Sequence, residues 1–155
     1  MSTVAPHVLR LERLTLDHIP VLLDAEREAY PDPWSERMFR QETESSISHF
    51  WVAYVRDLLV GYGGFWYVVD EAHITKVTVL ADYRRHGYGR ALVERLLEEA
   101  RRVGARTARL EVREQNNVAR KLYESVGFEA TGLRRGYYAK TGEPAVVMTQ
   151  RFGEL

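Results

Sequence analysis

The stretch "HITKVTVLADYRRHGYGRALVERLL", residues 73–97, decides how the rest of the chain is read. Its first eight residues are mostly β-branched and read as a central strand interrupted only by Lys76. A turn follows in which Arg84, Arg85, His86 and Arg90 surround Gly87 and Gly89. From residue 89 the pattern turns helical. Leu92, Val93, Leu96, Leu97, Ala100 and Val103 form one face, Glu94, Glu98, Glu99, Arg101 and Arg102 the other, and Gly104 ends it. Backbone N–H groups exposed by glycine at the start of a helix form an anion site. The stretch therefore asks for a ligand that carries phosphate.

Working outward, "VLRLERL" (8–14) alternates as a strand, and "TLDHIPVLLDAEREAY" (15–30) reads as a helix capped by Thr15 or Asp17. "PDPWS" breaks it, and Ser35 caps a second helix, "ERMFRQET". "HFWVAYVR" (49–56) and "LVGYGGFWYVV" (59–69) read as a hairpin that leads into the strand at 73–80. After the long helix come a strand at 107–112, a short helix opened by Asn116 and stopped by Gly127, and two strands, "FEATGLRRGYY" and "AVVMTQRF", joined by the turn "AKTGEP". The order is β-α-α-β-β-β-α-β-α-β-β. It predicts an α/β three-layer sandwich: a mixed, mostly antiparallel sheet with one central parallel βαβ unit, right-handed at its crossover, and flanking helices. Residues 1–155 read as a single domain.

Composition narrows the function classes. With 22 basic and 22 acidic residues the net charge is zero, so the overall basic footprint of a nucleic-acid binder is missing. The absence of cysteine removes disulfides, thiolate metal sites and a cysteine nucleophile. No secretory leader and no apolar run near the roughly 20 residues of a membrane span are seen. The expectation is a cytoplasmic protein, a monomer or weak dimer, with no metal, no direct nucleic-acid partner and no membrane partner.

Two ligand readings compete for the glycine turn. A dinucleotide fold needs G-x-G-x-x-G at its first strand and further βαβ repeats. Here the third glycine position is Leu92, and three antiparallel-type strands come first. A pyrophosphate cradle outside that class fits better, with Arg84 and Arg85 flanking the turn and the N–H groups of residues 85–90 facing a diphosphate.

R-x-x-G-x-G after "VTVLADY" resembles the acetyl-CoA signature of the GNAT acetyltransferase superfamily. "PWSERMF", "VVDEAHI", "LEVREQNNVARKLYESVGFEATGLRRGYY" and the closing "AVVMTQRF" are similar to its bacterial ribosomal-protein alanine N-acetyltransferase branch, the RimI type, from about residue 30 onward. The resemblance implies a GNAT fold, acetyl-CoA as co-substrate and the N terminus of a ribosomal protein as partner. It implies that the pantetheine arm pairs with the backbone of Val77, Thr78 and Val79, where the strand must splay from "RLEV". It places the pyrophosphate on Arg85, His86, Gly87, Tyr88, Gly89 and Arg90, with Asn116 as a further cofactor contact. The residues alone leave Val77 and Val79 as core strand and Asn116 as an ordinary helix cap.

Glu111, on the opposite strand face to Leu110 and Val112, is the candidate general base, because an α-ammonium near pKa 8 must lose a proton before it attacks. The bland alternative is an ion pair with Arg109 or Arg113. Tyr123 is the candidate acid for the leaving thiolate, or else a core tyrosine with its hydroxyl satisfied. Glu71 and His73, on the strand leading to the cradle, are secondary candidates for deprotonating or binding the acceptor. Trp34, Tyr137 and Tyr138 sit in loop-forming segments that would wall an acceptor groove. Without cysteine, direct attack in a ternary complex is expected. Two other functions stay open: transfer to a small-molecule amine, and a CoA-binding partner protein without turnover.

Overall fold

The computed structural model describes residues 4–153. Seven strands form one sheet: β1 (Arg10–Arg13), β2 (Ser48–Val55), β3 (Leu58–Val68), β4 (Glu71–Val79), β5 (Thr107–Arg113), β6 (Glu129–Arg134) and β7 (Ala145–Arg151). Their spatial order is β1-β2-β3-β4-β5-β7-β6. All neighbours are antiparallel except β4 and β5, which are parallel. The helices are α1 (Ile19–Ala29), α2 (Glu36–Glu44), α3 (Tyr88–Val103) and α4 (Asn117–Ser125).

Strand alternation distributes the core between two faces. On β2, Phe50 and Val52 point to a cluster with Leu22 of α1 and Phe39 of α2. Trp51 and Ala53 point the other way, to a larger cluster built on Leu92, Leu96 and Ala100 of α3. Leu122 of α4 packs against that second cluster. Helices thus cover both faces, and β4 is the middle strand of seven, as its β-branched content predicts.

Three boundaries differ from the sequence reading, each with a local cause. Pro6 starts a 3-10 turn at Pro6–Val8, so β1 begins at Arg10 rather than residue 8. The helix expected from residue 15 opens as a 3-10 turn, Leu16–His18, and becomes α-helical at Ile19, with Pro20 in its first turn where a missing N–H is tolerated. The strand expected through residue 138 stops at Arg134, because the chain turns at Gly136 with φ 65°. Tyr137 and Tyr138 therefore stand in a loop and not in the sheet.

The "GYGG" run on β3 reflects close strand approach. A Cβ on Gly64 would lie 2.4 Å from the His49 carbonyl oxygen, and backbone cannot yield as a flexible side chain does. Gly64→Ala is expected to lower stability by about 1–3 kcal/mol, the usual scale of overpacking. Denaturant unfolding measures it; an unchanged midpoint would contradict this packing.

Candidate active site

The parallel pairing of β4 with β5 covers only Glu71–Thr107, Ala72–Ala108 and His73–Arg109. β4 continues to Val79 and β5 to Arg113, but they no longer bond to each other. The strands splay, as the resemblance requires. The carbonyls of Lys76 and Thr78 face β3, 2.5 and 2.6 Å from where Cβ atoms on Gly63 and Gly61 would be. Val77 and Val79 therefore turn their backbone groups into the gap. Their carbonyls are held by side chains, Val77 by the Tyr30 hydroxyl (3.2 Å) and Val79 by Arg84 Nε (3.0 Å).

Two clefts open at the gap. The larger, of about 630 Å³, includes Trp34, His73, Glu111, Tyr137 and Tyr138 in its walls. The smaller, of about 240 Å³, runs between β4 and α4 past Val79, Gly89 and Leu122. Val77, Asn116, Ala119 and Tyr123 belong to both. Asn116 caps α4 by accepting from the Ala119 N–H (3.1 Å), and its NH₂ donates to nothing among the described residues. One amide thus serves as cap and still faces the clefts.

Glu111 lies at the point where the strands part, its side chain 4% exposed. Oε1 accepts from His73 Nε2 at 2.6 Å, with the Tyr137 hydroxyl at 3.4 Å. Oε2 is held by Arg109, whose Nε also reaches Glu71 (3.1 Å). Burial pushes the Glu111 carboxyl up, but the His73 hydrogen bond and charge, with Arg109 and Arg134, outweigh it and hold the group below the usual range. Glu111 is an anion at neutral pH. Both readings of the sequence meet here, since Glu111 is ion-paired with Arg109 and still borders the cleft. Glu71 does not wall the cleft; it reaches Glu111 only through Arg109.

Tyr123 packs edge-on to Phe128, with ring centroids 5.9 Å apart. Burial raises its hydroxyl well above the ordinary tyrosine value, and no hydrogen bond holds it among the described residues. It stays protonated, a donor without a fixed acceptor, where the two clefts meet. Tyr138 is pushed up to about 12 by burial, against the opposing charge of Arg113 stacked on its ring at 3.9 Å.

The glycine turn takes two left-handed residues in three, Arg85 at φ 67° and Gly87 at φ 83°. Gly87 is the N-cap of α3, and the first bond into it runs from Ala91 N to Gly87 O. The N–H groups of residues 85–90 are left without carbonyl partners, as at any helix start. Tyr88, Gly89 and Arg90 open the helix; Arg90 is engaged with Glu94 (2.7 Å). Arg84 turns away onto Val79 O and Glu28. Thr78 is buried, with its hydroxyl 2.6 Å from that of Tyr30 and its carbonyl turned to β3, so it offers the gap neither group.

The sequence reading missed a charged cluster under the larger cleft. Lys76 Nζ pairs with Glu26 Oε1 (2.9 Å) and lies 4.2 and 4.5 Å from the ring centres of Tyr30 and Trp34. Glu26 also accepts from the Tyr62 hydroxyl (2.7 Å) and the Trp34 N–H (2.8 Å). The signal was available: Glu26 continues the Ile19–Leu22 stripe of α1, a position that should be apolar. Trp34 is thereby fixed in the wall of the cleft.

The sequence profile described as "Acetyltransferase (GNAT) family" matches residues 19–128. The chain belongs to the GNAT acetyltransferase family. It is 34% identical over 140 residues to the [ribosomal protein bS18]-alanine N-acetyltransferase of Escherichia coli K12, covering 89% of this chain and 94% of the relative. It is 35% identical over 136 residues to the N-alpha-acetyltransferase RimI of Mycobacterium tuberculosis, covering 85% and 84%. The crystal structure of the ribosomal-protein-S18-alanine N-acetyltransferase from Escherichia coli superposes with a TM-score of 0.85 at 31% identity, over 95% of this chain and 96% of that one. GNAT enzymes take acetyl-CoA as acetyl donor, and the unpartnered N–H groups at residues 85–90 suit its diphosphate. Among the described residues no helix is long and apolar enough to cross a membrane.

Removing Lys76 strands a buried carboxylate. Lys76→Met is expected to cost about 3–5 kcal/mol in denaturant unfolding. Pairing it with Glu26→Gln should recover a large part of that loss. Equal stability of Lys76→Met and the parent would contradict the pairing.

Proposed function

We propose that this GNAT enzyme acetylates the α-amine of a protein N terminus, with a ribosomal protein that begins with alanine as its acceptor. The observation that carries the reading is the junction of two clefts across the splayed strands at Val77, Asn116 and Tyr123. Acetyl-CoA would enter along β4 and α4 from the cradle, its diphosphate on the N–H groups of residues 85–90. The acceptor would enter from the larger cleft, between Trp34 and the loop of Tyr137 and Tyr138. The acceptor class is supported by the names of the relatives and by the extent of similarity to them.

In this reading the ammonium gives up a proton at the Glu111 centre, and the free amine attacks the thioester carbonyl. The Val79 N–H, turned into the gap, polarises that carbonyl. The carbon–sulfur bond breaks, Tyr123 protonates the departing thiolate and is reprotonated by the second amine proton as the amide forms, and the first proton passes from the Glu111 centre to water. One proton ends on sulfur and one in water. The chain has no cysteine to carry an acetyl group, which excludes an acyl-cysteine intermediate and accords with direct transfer.

The reading is tested with acetyl-CoA and a panel of peptides and small amines, following free thiol. Selective transfer to the α-amine of an Ala-initiated ribosomal peptide is expected. Transfer confined to small amines would overturn the acceptor, and CoA binding without transfer would overturn the enzyme. Tyr123→Phe should lower kcat by about 10²–10⁴, the usual share of a general acid, with CoA affinity kept.

A further inference from the structure

His73 and Glu111 form a pair whose polarity has a consequence for the proton that the amine must lose. His73 is the last residue of β4 that pairs with β5, and its imidazole spans the mouth of the gap to reach Glu111. Glu111 itself is poorly placed to act as a base. Both of its oxygens are already taken by donors, Oε1 by His73 with Tyr137 nearby, and Oε2 by Arg109. Its side chain is 4% exposed, against 22% for His73. His73 also belongs to the wall of the larger cleft. When Nε2 donates to the carboxylate, the neutral ring carries its lone pair on Nδ1, and Nδ1 has no partner among the described residues.

We propose that His73 is the general base of this enzyme, taking the amine proton at Nδ1, and that Glu111 orients the ring and stabilises the imidazolium. The proposal rests on the amine-acetylation reading above and names the atom that performs its first step. The ammonium N–H bond breaks and a proton joins Nδ1. The ring keeps its Nε2–H toward Glu111, so a cation forms beside an anion already in place. The proton later passes to solvent and restores the neutral ring. Glu111 thus selects the tautomer that leaves Nδ1 bare, as a carboxylate does for any histidine base.

The charged groups around the ring are largely engaged with one another. From β5, Arg109 neutralises the second oxygen of Glu111, and from β6, Arg134 acts on the same carboxylate. From β4, Glu71 is occupied with Arg109. From β3, the Trp66 ring stands edge-on to the imidazole, 6.0 Å between centroids at 83°, and brings no charge. From the β6–β7 loop, Tyr137 offers its hydroxyl to Glu111. Histidine is the side chain whose chemistry suits proton transfer at neutral pH, whereas a carboxylate held low by ion pairing is a weak base.

The experiment compares His73→Gln and His73→Ala with the wild type, using whichever amine the wild type acetylates. Glutamine can still donate an N–H to Glu111 but has no basic nitrogen. If His73 is the base, kcat/KM falls about 10²–10⁴-fold in both variants. KM for acetyl-CoA stays unchanged, the acid limb of the wild-type pH profile in the imidazole range disappears, and added imidazole restores part of the rate to His73→Ala. A His73→Gln enzyme within a few-fold of wild type would overturn the proposal and reduce His73 to a positioning residue for Glu111. A long-range ¹H–¹⁵N titration of the ring decides without turnover, so it separates this proposal from the acceptor reading. The Nε2–H tautomer above pH 7 is expected; an Nδ1–H tautomer, or an imidazolium persisting above pH 8, would overturn it.

Discussion

The early end of hydrogen bonding between β4 and β5 is the constraint on which the rest depends. Three residue pairs hold the strands together, and then each runs on without the other. A buried strand edge is costly unless its polar groups find partners. Here two carbonyls are capped by Tyr30 and Arg84, and an N–H edge remains for an incoming chain of amide groups. The sheet survives the opening because β5 is bonded along its whole length to β7 and β4 to β3. The fold keeps a gap in its middle by securing both sides independently.

Charge follows from that opening. At its mouth a carboxylate is fixed by an imidazole from the facing strand and a guanidinium from its own. Beneath the larger cleft, Lys76 and Glu26 make a second buried pair, walled by Tyr30 and Trp34. Burial lowers the Lys76 pKa, and Glu26 opposes that fall. The two pairs do different work: the first borders the larger cleft where the strands part, while the second fixes an aromatic wall. Tyr123, where the two clefts meet, is a protonated group with no hydrogen-bond partner among the described residues.

Much of this was legible in the chain. The β-branched run before "RRHGYG" pointed to a central strand, and the glycine turn to the start of a long helix, because both depend on local pattern. Where Arg84 points depends on something outside local pattern, a carbonyl brought close by the fold, here Val79. The Glu111–His73 bond joins residues 38 apart and appears only once β4 and β5 are parallel and in register. Tyr137 and Tyr138 could be read both as the end of a strand and as part of a loop-forming segment, and the turn at Gly136 decides for the loop. Glu26 broke the apolar stripe of α1 in plain view, but its partner, 50 residues away, could not be read from periodicity.

The central claim is that β4 presents unpaired backbone N–H groups to the gap and that the acetyl donor takes them up. Amide hydrogen exchange at Val77 and Val79, followed by NMR with and without CoA, measures this directly. Both amides should exchange readily in the free enzyme, unlike their neighbours Lys76 and Thr78, and become protected when CoA binds. Protection already present without CoA, or no change on saturation with it, would contradict the account.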